Sequence, residues 1–197
     1  MAACAFSSWG KCSRSRCSYP APLDAVCFCL GEFESLAATT AIRRPTVTTW
    51  ETKKVVRPTT ADQVIVGGTL EDGIPISLHY RSGEIAAHAF RWEIQGTKKN
   101  LLLTGDTYYT AGSALNLSEN SASDPTYMPM MVPSAYTLVP EDTPRDRAFN
   151  VAQTYVLLAN DRANGTTDCP TFADAVSRHR MLAAIERAAE TGQRQSY

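Results

Sequence analysis

Apolar residues at Leu23, Val26, Cys27 and Leu30 recur at steps of three and four and are followed by Gly31, a pattern that predicts a short helix over 23–30. Phe33–Ile42 and Thr46–Trp50 mix β-branched and aromatic residues around the breaker Pro45, and read as strands. Gln63–Leu70 and Ile74–Tyr80 are two further β-rich runs; the "EDG" between them is a hairpin-type link. His88–Gln95 alternates, with His88, Phe90, Trp92 and Ile94 on one side and Arg91, Glu93 and Gln95 on the other, which predicts a half-exposed strand turning at "GTKKN". Strands are also expected at Leu101–Thr104, Ala114–Leu117 and Ala135–Leu138, with "SENSASDPTYMPMMVP" an irregular loop.

The period then lengthens. Phe149, Ala152, Tyr155, Val156 and Ala159 predict one face of a helix over 147–162 that stops at "ANG". After "CPT" a last helix is predicted, capped by Thr171 with Asp174 three residues on, its apolar stripe formed by Phe172, Val176, His179, Leu182, Ile185 and Ala189. Strands gathered in the middle and helices at the end predict an α+β fold, an open and mostly antiparallel sheet with helices packed on one face.

Composition narrows the class. The 197 residues are 44% hydrophobic and 20% charged, which fits a globular domain. A net charge of -1 gives no reason to expect nucleic acid or an anionic membrane as partner, and no apolar run approaches a membrane span. Five of the six cysteines lie in the first 29 residues, and the basic residues Lys11, Arg14 and Arg16 follow rather than precede the opening apolar stretch, the wrong order for a secretory signal. The expected location is therefore the cytoplasm. Residues 1–22 are expected to be a divergent, disordered or wrongly translated tail, faintly like an organelle transit peptide, and 23–195 the folded domain.

Little in the sequence proposes chemistry outright. There is no Gly-x-Gly-x-x-Gly turn to cradle a pyrophosphate, and Gly67 and Gly68 sit inside a predicted strand, where a bulge or close packing explains them. Cys27 and Cys29 are two apart, so a helix points them to nearly opposite sides, and neither a shared metal nor a redox pair is expected. His179 and His88 lie on apolar faces and read as packed residues. His79 shares a polar strand face with Ser77 and Arg81, to which Arg91 is a candidate addition. Such a face serves solvent, an oligomer interface or one wall of a pocket.

Four blocks, "LDAVCFCLGEFESLAATTAIRRPTV", "GTLEDGIPISLHYRSG", "FRWEIQGTKKNLLLTGD" and "NVAQTYVLLANDRANGTTDCPTFADAVSRHRMLAAIERAAETG", together resemble the carboxyl-terminal domain of the glucose-fructose oxidoreductase / inositol dehydrogenase / rhizopine catabolism family. They are most similar to its fungal branch, related to the galactose-regulon repressor. "W-x-I-x-G-T-K" and "F-x-D-A-V-x-x-H-R" are the most specific pieces.

The resemblance implies a fold and several expectations. The family joins an NAD(P)-binding domain, which holds its catalytic lysine, to an α+β substrate and oligomerisation domain, and only the second is recognisable here. NAD(P) is thus implied for the whole family, with no cofactor bound by this chain alone. The family's Asp-x-x-x-His and the polar position after it align with Cys17, Ala21 and Asp24, so Asp24 alone is retained. The implied protein is the truncated substrate half of an NAD(P)-dependent oxidoreductase acting on a sugar or polyol, not competent alone. The alternative is a non-catalytic dimerisation or transcription-regulatory module. In both, the face with Ser77, His79, Arg81 and Arg91 is a pocket wall or a homo-oligomer interface.

Overall fold

A computed structural model describes residues 20–49, 52–82, 90–106, 115–121, 123–145 and 148–197. The chain divides into two compact units, one made of Met1–Gly83 with Pro170–Tyr197 and the other of Glu84–Cys169. Among the described residues they hold three α-helices and antiparallel sheets, the α+β class expected. Among the described residues no helix is long and apolar enough to cross a membrane.

The first unit opens on α1 (Pro20–Leu30), whose Leu23, Val26 and Cys27 are buried while Phe28 and Cys29 face out. The predicted separation of the two cysteines therefore holds. β1 (Phe33–Ala41), β4 (Gln63–Leu70) and β5 (Pro75–Arg81) form a three-stranded sheet in the order β1-β4-β5, and β2 (Val47–Thr48) with β3 (Val55–Val56) makes a small ribbon. Asp72 and Gly73 both take positive φ (62° and 74°), the left-handed turn that "EDG" predicts between β4 and β5. α3 (Phe172–Thr191) packs on β1 and against α1, and buries Met181, Leu182, Ile185 and Ala188 over Leu36, Val64, Val66 and Leu70. Each such fully buried aliphatic side chain is worth about 2 kcal/mol, so α3 supplies a large share of this core.

Two local devices fix this unit. Thr171 Oγ1 accepts from the Asp174 N–H while the Asp174 carboxylate accepts from the Thr171 N–H at 2.7 Å, a reciprocal cap that confirms the predicted start of α3. Buried Asp62, at the entrance to β4, accepts the backbone N–H groups of Arg43 (2.9 Å) and Arg44 (2.7 Å), tying the exit of β1 to β4. Burial alone would raise the Asp62 carboxyl, but these N–H groups outweigh it and hold it below the usual range. A depressed folded-state value means the carboxylate stabilises above its unfolded pKa and loses that effect as pH falls through the folded one. Asp62→Asn is therefore expected to lower the thermal midpoint at pH 7 and to flatten its decline below about pH 4. Parallel pH profiles for the two proteins would count against this account.

In the second unit β6 (Phe90–Gln95), β7 (Lys99–Gly105), β8 (Leu115–Ser121) and β9 (Asp124–Pro129) run as an antiparallel meander. α2 (Phe149–Asn164) ends at Gly165, φ 70°, as "ANG" predicts. Gln153 on α2 accepts from the N–H groups of Leu138 and Val139 and donates to the Tyr136 carbonyl. Asp161, buried at the end of α2, accepts from Thr166 Oγ1 and the N–H groups of Asp168 and Cys169, which keep its carboxyl below the ordinary range.

Several expectations are corrected. "SENSASDPTYMPMMVP" carries the end of β8 and all of β9, and Ala135–Leu138 is a single turn of 3-10 helix at Ser134–Tyr136 instead of a strand. His179, Phe172 and Val176 are exposed, because the inward line of α3 runs through Arg178, Met181 and Ile185. On α2, Tyr155 and Ala159 are exposed as well.

Candidate functional site

Asp24 belongs to the last two turns of α1, on the side that faces α3. Its Oδ1 lies 3.2 Å from Arg178 Nε, and the second arm of the same guanidinium, Nη2, pairs with Glu32 just beyond the helix. Arg178 is nearly sealed, its side chain 14% exposed, whereas both carboxylates keep about a third of their surface, at 35% and 34%. Nε is aligned too poorly for a hydrogen bond, so the attraction to Asp24 is coulombic. Beneath lies the Cys27 thiol, 3.8 Å from Met181 Sδ and raised by burial. Tyr197 closes the cluster: its hydroxyl donates to Glu32 Oε2 at 2.8 Å and accepts from the Phe33 N–H.

The Asp24 carboxylate is thereby engaged by Arg178 across the α1–α3 contact. Ala21 lies in α1 at the position where the resemblance calls for histidine, and Cys17 lies outside the described residues. The retained acid is thus bound into packing between α1 and α3.

The other candidates divide between the units. Ser77, His79 and Arg81 alternate on the exposed side of β5 as predicted, and His79 Nε2 stands 3.1 Å from Gln63 Oε1. Antiparallel register places Ala37, Gly67 and Ser77 in one row of this outer face and Thr39, Ile65 and His79 in the next. It is a surface of small and polar groups, with Ile65 48% exposed in the central strand. Arg91 sits on β6, in the second unit. Its Nη2 binds Glu93 Oε2 at 2.9 Å while Tyr127 donates to the other oxygen at 2.9 Å, and those two contacts hold the Glu93 carboxyl low. Tyr127 was missed in the sequence because its strand lacks alternation. His88 lies outside the described residues.

No nucleotide cradle is present among the described residues. Gly67 and Gly68 lie mid-strand in β4, paired to Ser77 and Ile76, whereas a pyrophosphate needs a strand-to-helix turn. Among the described residues no three His, Cys, Asp or Glu side chains gather as a metal site either.

Residues 18–105 match the family model of the Gal80p C-terminal domain. Over 91% of its length the chain also matches the super-repressor mutant of Gal80p from Saccharomyces cerevisiae, at TM-score 0.72 and 18% identity. Over 90% it matches levoglucosan dehydrogenase, at TM-score 0.69 and 15% identity, and an oxidoreductase from Agrobacterium radiobacter in complex with NAD+, L-tartaric acid and magnesium, at 0.63 and 16%. It covers 48%, 49% and 47% of those three chains, so it spans about half the length of the structures it resembles. Comparison with curated proteins found no match. The resemblance read from the four sequence blocks is borne out: residues 18–105 are similar to the Gal80p C-terminal domain, and the chain has a fold like that of solved Gal80p and oxidoreductase structures.

Proposed function

We propose that the chain is an oxidoreductase-derived domain that works by protein contact, pairing with a second copy through the outer face of β1-β4-β5, and catalyses nothing by itself. The observation that carries this reading is the capture of Asp24 by Arg178, with alanine at the neighbouring histidine position. The outer face with Ile65 at its centre is the surface offered to the partner. Regulation of transcription through such contact, as in a repressor, is the corresponding role, and its setting is the cytoplasm or a compartment reached from it. A second reading, the substrate half of an NAD(P)-dependent sugar or polyol dehydrogenase, is favoured by the fold likeness to levoglucosan dehydrogenase.

Light scattering on the purified chain is expected to give a dimer. Ile65→Asp is expected to give a monomer of unchanged thermal midpoint, because the replaced side chain faces outward. A folded chain that is strictly monomeric defeats the pairing. Titration with NADH and NADPH, followed by nucleotide fluorescence, is expected to show no saturable binding in the micromolar range; micromolar affinity would favour the dehydrogenase reading instead.

A further inference from the structure

The residues after α3 do more than trail off the helix. Gly192, φ 69°, turns the chain, and Gln195 then pairs with Leu36 on the outer edge of β1 through two backbone hydrogen bonds of 2.8 Å, one in each direction. On either side of that bridge are side-chain ties to the β1 entrance: Arg194 Nη1 to Ser35 Oγ at 2.6 Å, and the Tyr197 hydroxyl to Glu32 and Phe33 N–H. Glu32 in turn holds Arg178, which holds Asp24 on α1. A continuous chain of contacts thus runs from Tyr197 to α1. Its anchor points lie more than 150 positions apart in sequence, at 159 for Arg194–Ser35 and 165 for Tyr197–Glu32. On the outward side of α1, Phe28 is 85% exposed and Cys29 is exposed.

We infer that Arg194–Tyr197 is a strap that seats α1 on α3 and β1, so that release of the strap loosens α1 locally and uncovers the Cys27 thiol while the rest of the fold stays intact. The strap is built for release: two backbone bonds and three side-chain contacts hold it, and no residue in it is buried. By contrast Met181 and Ile185, buried on α3, remain clamped where α3 packs on β1. Tyr197 is a positioning residue in this scheme, since it reaches Asp24 only through Glu32 and Arg178.

Cys27 is the natural reporter. In the full chain with Cys4, Cys12, Cys17, Cys29 and Cys169 replaced by serine, the rate at which Cys27 reacts with a disulfide reagent such as DTNB measures opening of α1. Adding Gln195→Pro, which removes the N–H donated to Leu36, together with Tyr197→Phe, is expected to raise that rate at least tenfold. Tyr197→Phe alone, a mild change that keeps the ring, is expected to raise hydrogen exchange in 20–30 and leave that of α2 unchanged. A rate that rises less than twofold overturns the strap. So does exchange that increases equally in both units, since that is general destabilisation and not a local release.

Discussion

Gly68→Ala should lower stability by about 3 kcal/mol or more, a large part of the 5–15 kcal/mol typical of a domain. A Cβ built at Gly68 lies 2.2 Å from the Ser35 carbonyl oxygen and 3.0 Å from Leu36 Cα, both backbone atoms of β1. No rotamer change relieves such a clash, so β1 and β4 must part just where β1 bulges between Phe33 and Ser35. Gly67 is the internal control. The same atom there meets nothing nearer than the Ile76 carbonyl at 4.0 Å, so Gly67→Ala should be close to neutral. Urea unfolding of the two variants checks the difference, and equal midpoints would mean that the sheet is looser than its register implies.

Arg178→Ala should come next, costing about 2 kcal/mol. Removing one member of a buried ion pair costs about 3–5 kcal/mol, and the value is discounted here because Asp24 and Glu32 each keep about a third of their surface in water. The loss is more than charge. Two carboxylates are left facing each other across the gap, and the guanidinium contact with Met181 Sδ at 3.7 Å disappears. Lysine should rescue poorly, since a single ammonium cannot span both acids. The triple variant Asp24→Asn, Glu32→Gln, Arg178→Met should recover most of the stability, because it removes the charges along with the arm that satisfied them. Denaturant midpoints for the set decide the point; a triple variant no better than Arg178→Ala would show that packing by the arginine stem, and not charge, is what matters.

Legibility of the fold in the sequence followed the hydrophobic pattern where that pattern made the structure. α1, β4 and β5 are carried by aliphatic side chains at regular spacing, and they were readable from it. The β8–β9 hairpin is held differently. Asn100 donates to Asn120, Asn120 to the Pro125 carbonyl, and Tyr127 to Glu93, so polar side chains in a Ser-, Asn- and Pro-rich stretch do what alternation does elsewhere. A loop reading of those residues was natural, and wrong. α3 failed in phase for a related reason. A charged residue, Arg178, occupies an inward position, so the apolar count slid by one residue and put His179 inside. The same arginine hid the site. Asp24 could be picked out by resemblance, and Ser77, His79 and Arg81 by alternation along one strand, but a partner 154 residues away in the sequence leaves no local signal.

The division of the chain also dictates an order of events during synthesis. The first unit is interrupted: its strands are complete by Gly83, yet α3, which covers their apolar face, arrives only after Glu84–Cys169 has been made. Val64, Val66 and Leu36 must therefore wait without their cover. At about 5–20 residues per second that wait is on the order of ten seconds, long enough for the intervening unit to fold and for an uncovered sheet to engage a chaperone or a neighbouring chain. Yield at 37 °C against yield at low temperature should accordingly be governed less by how stable the finished molecule is than by how the nascent strands are sheltered until Met181 and Ile185 reach them.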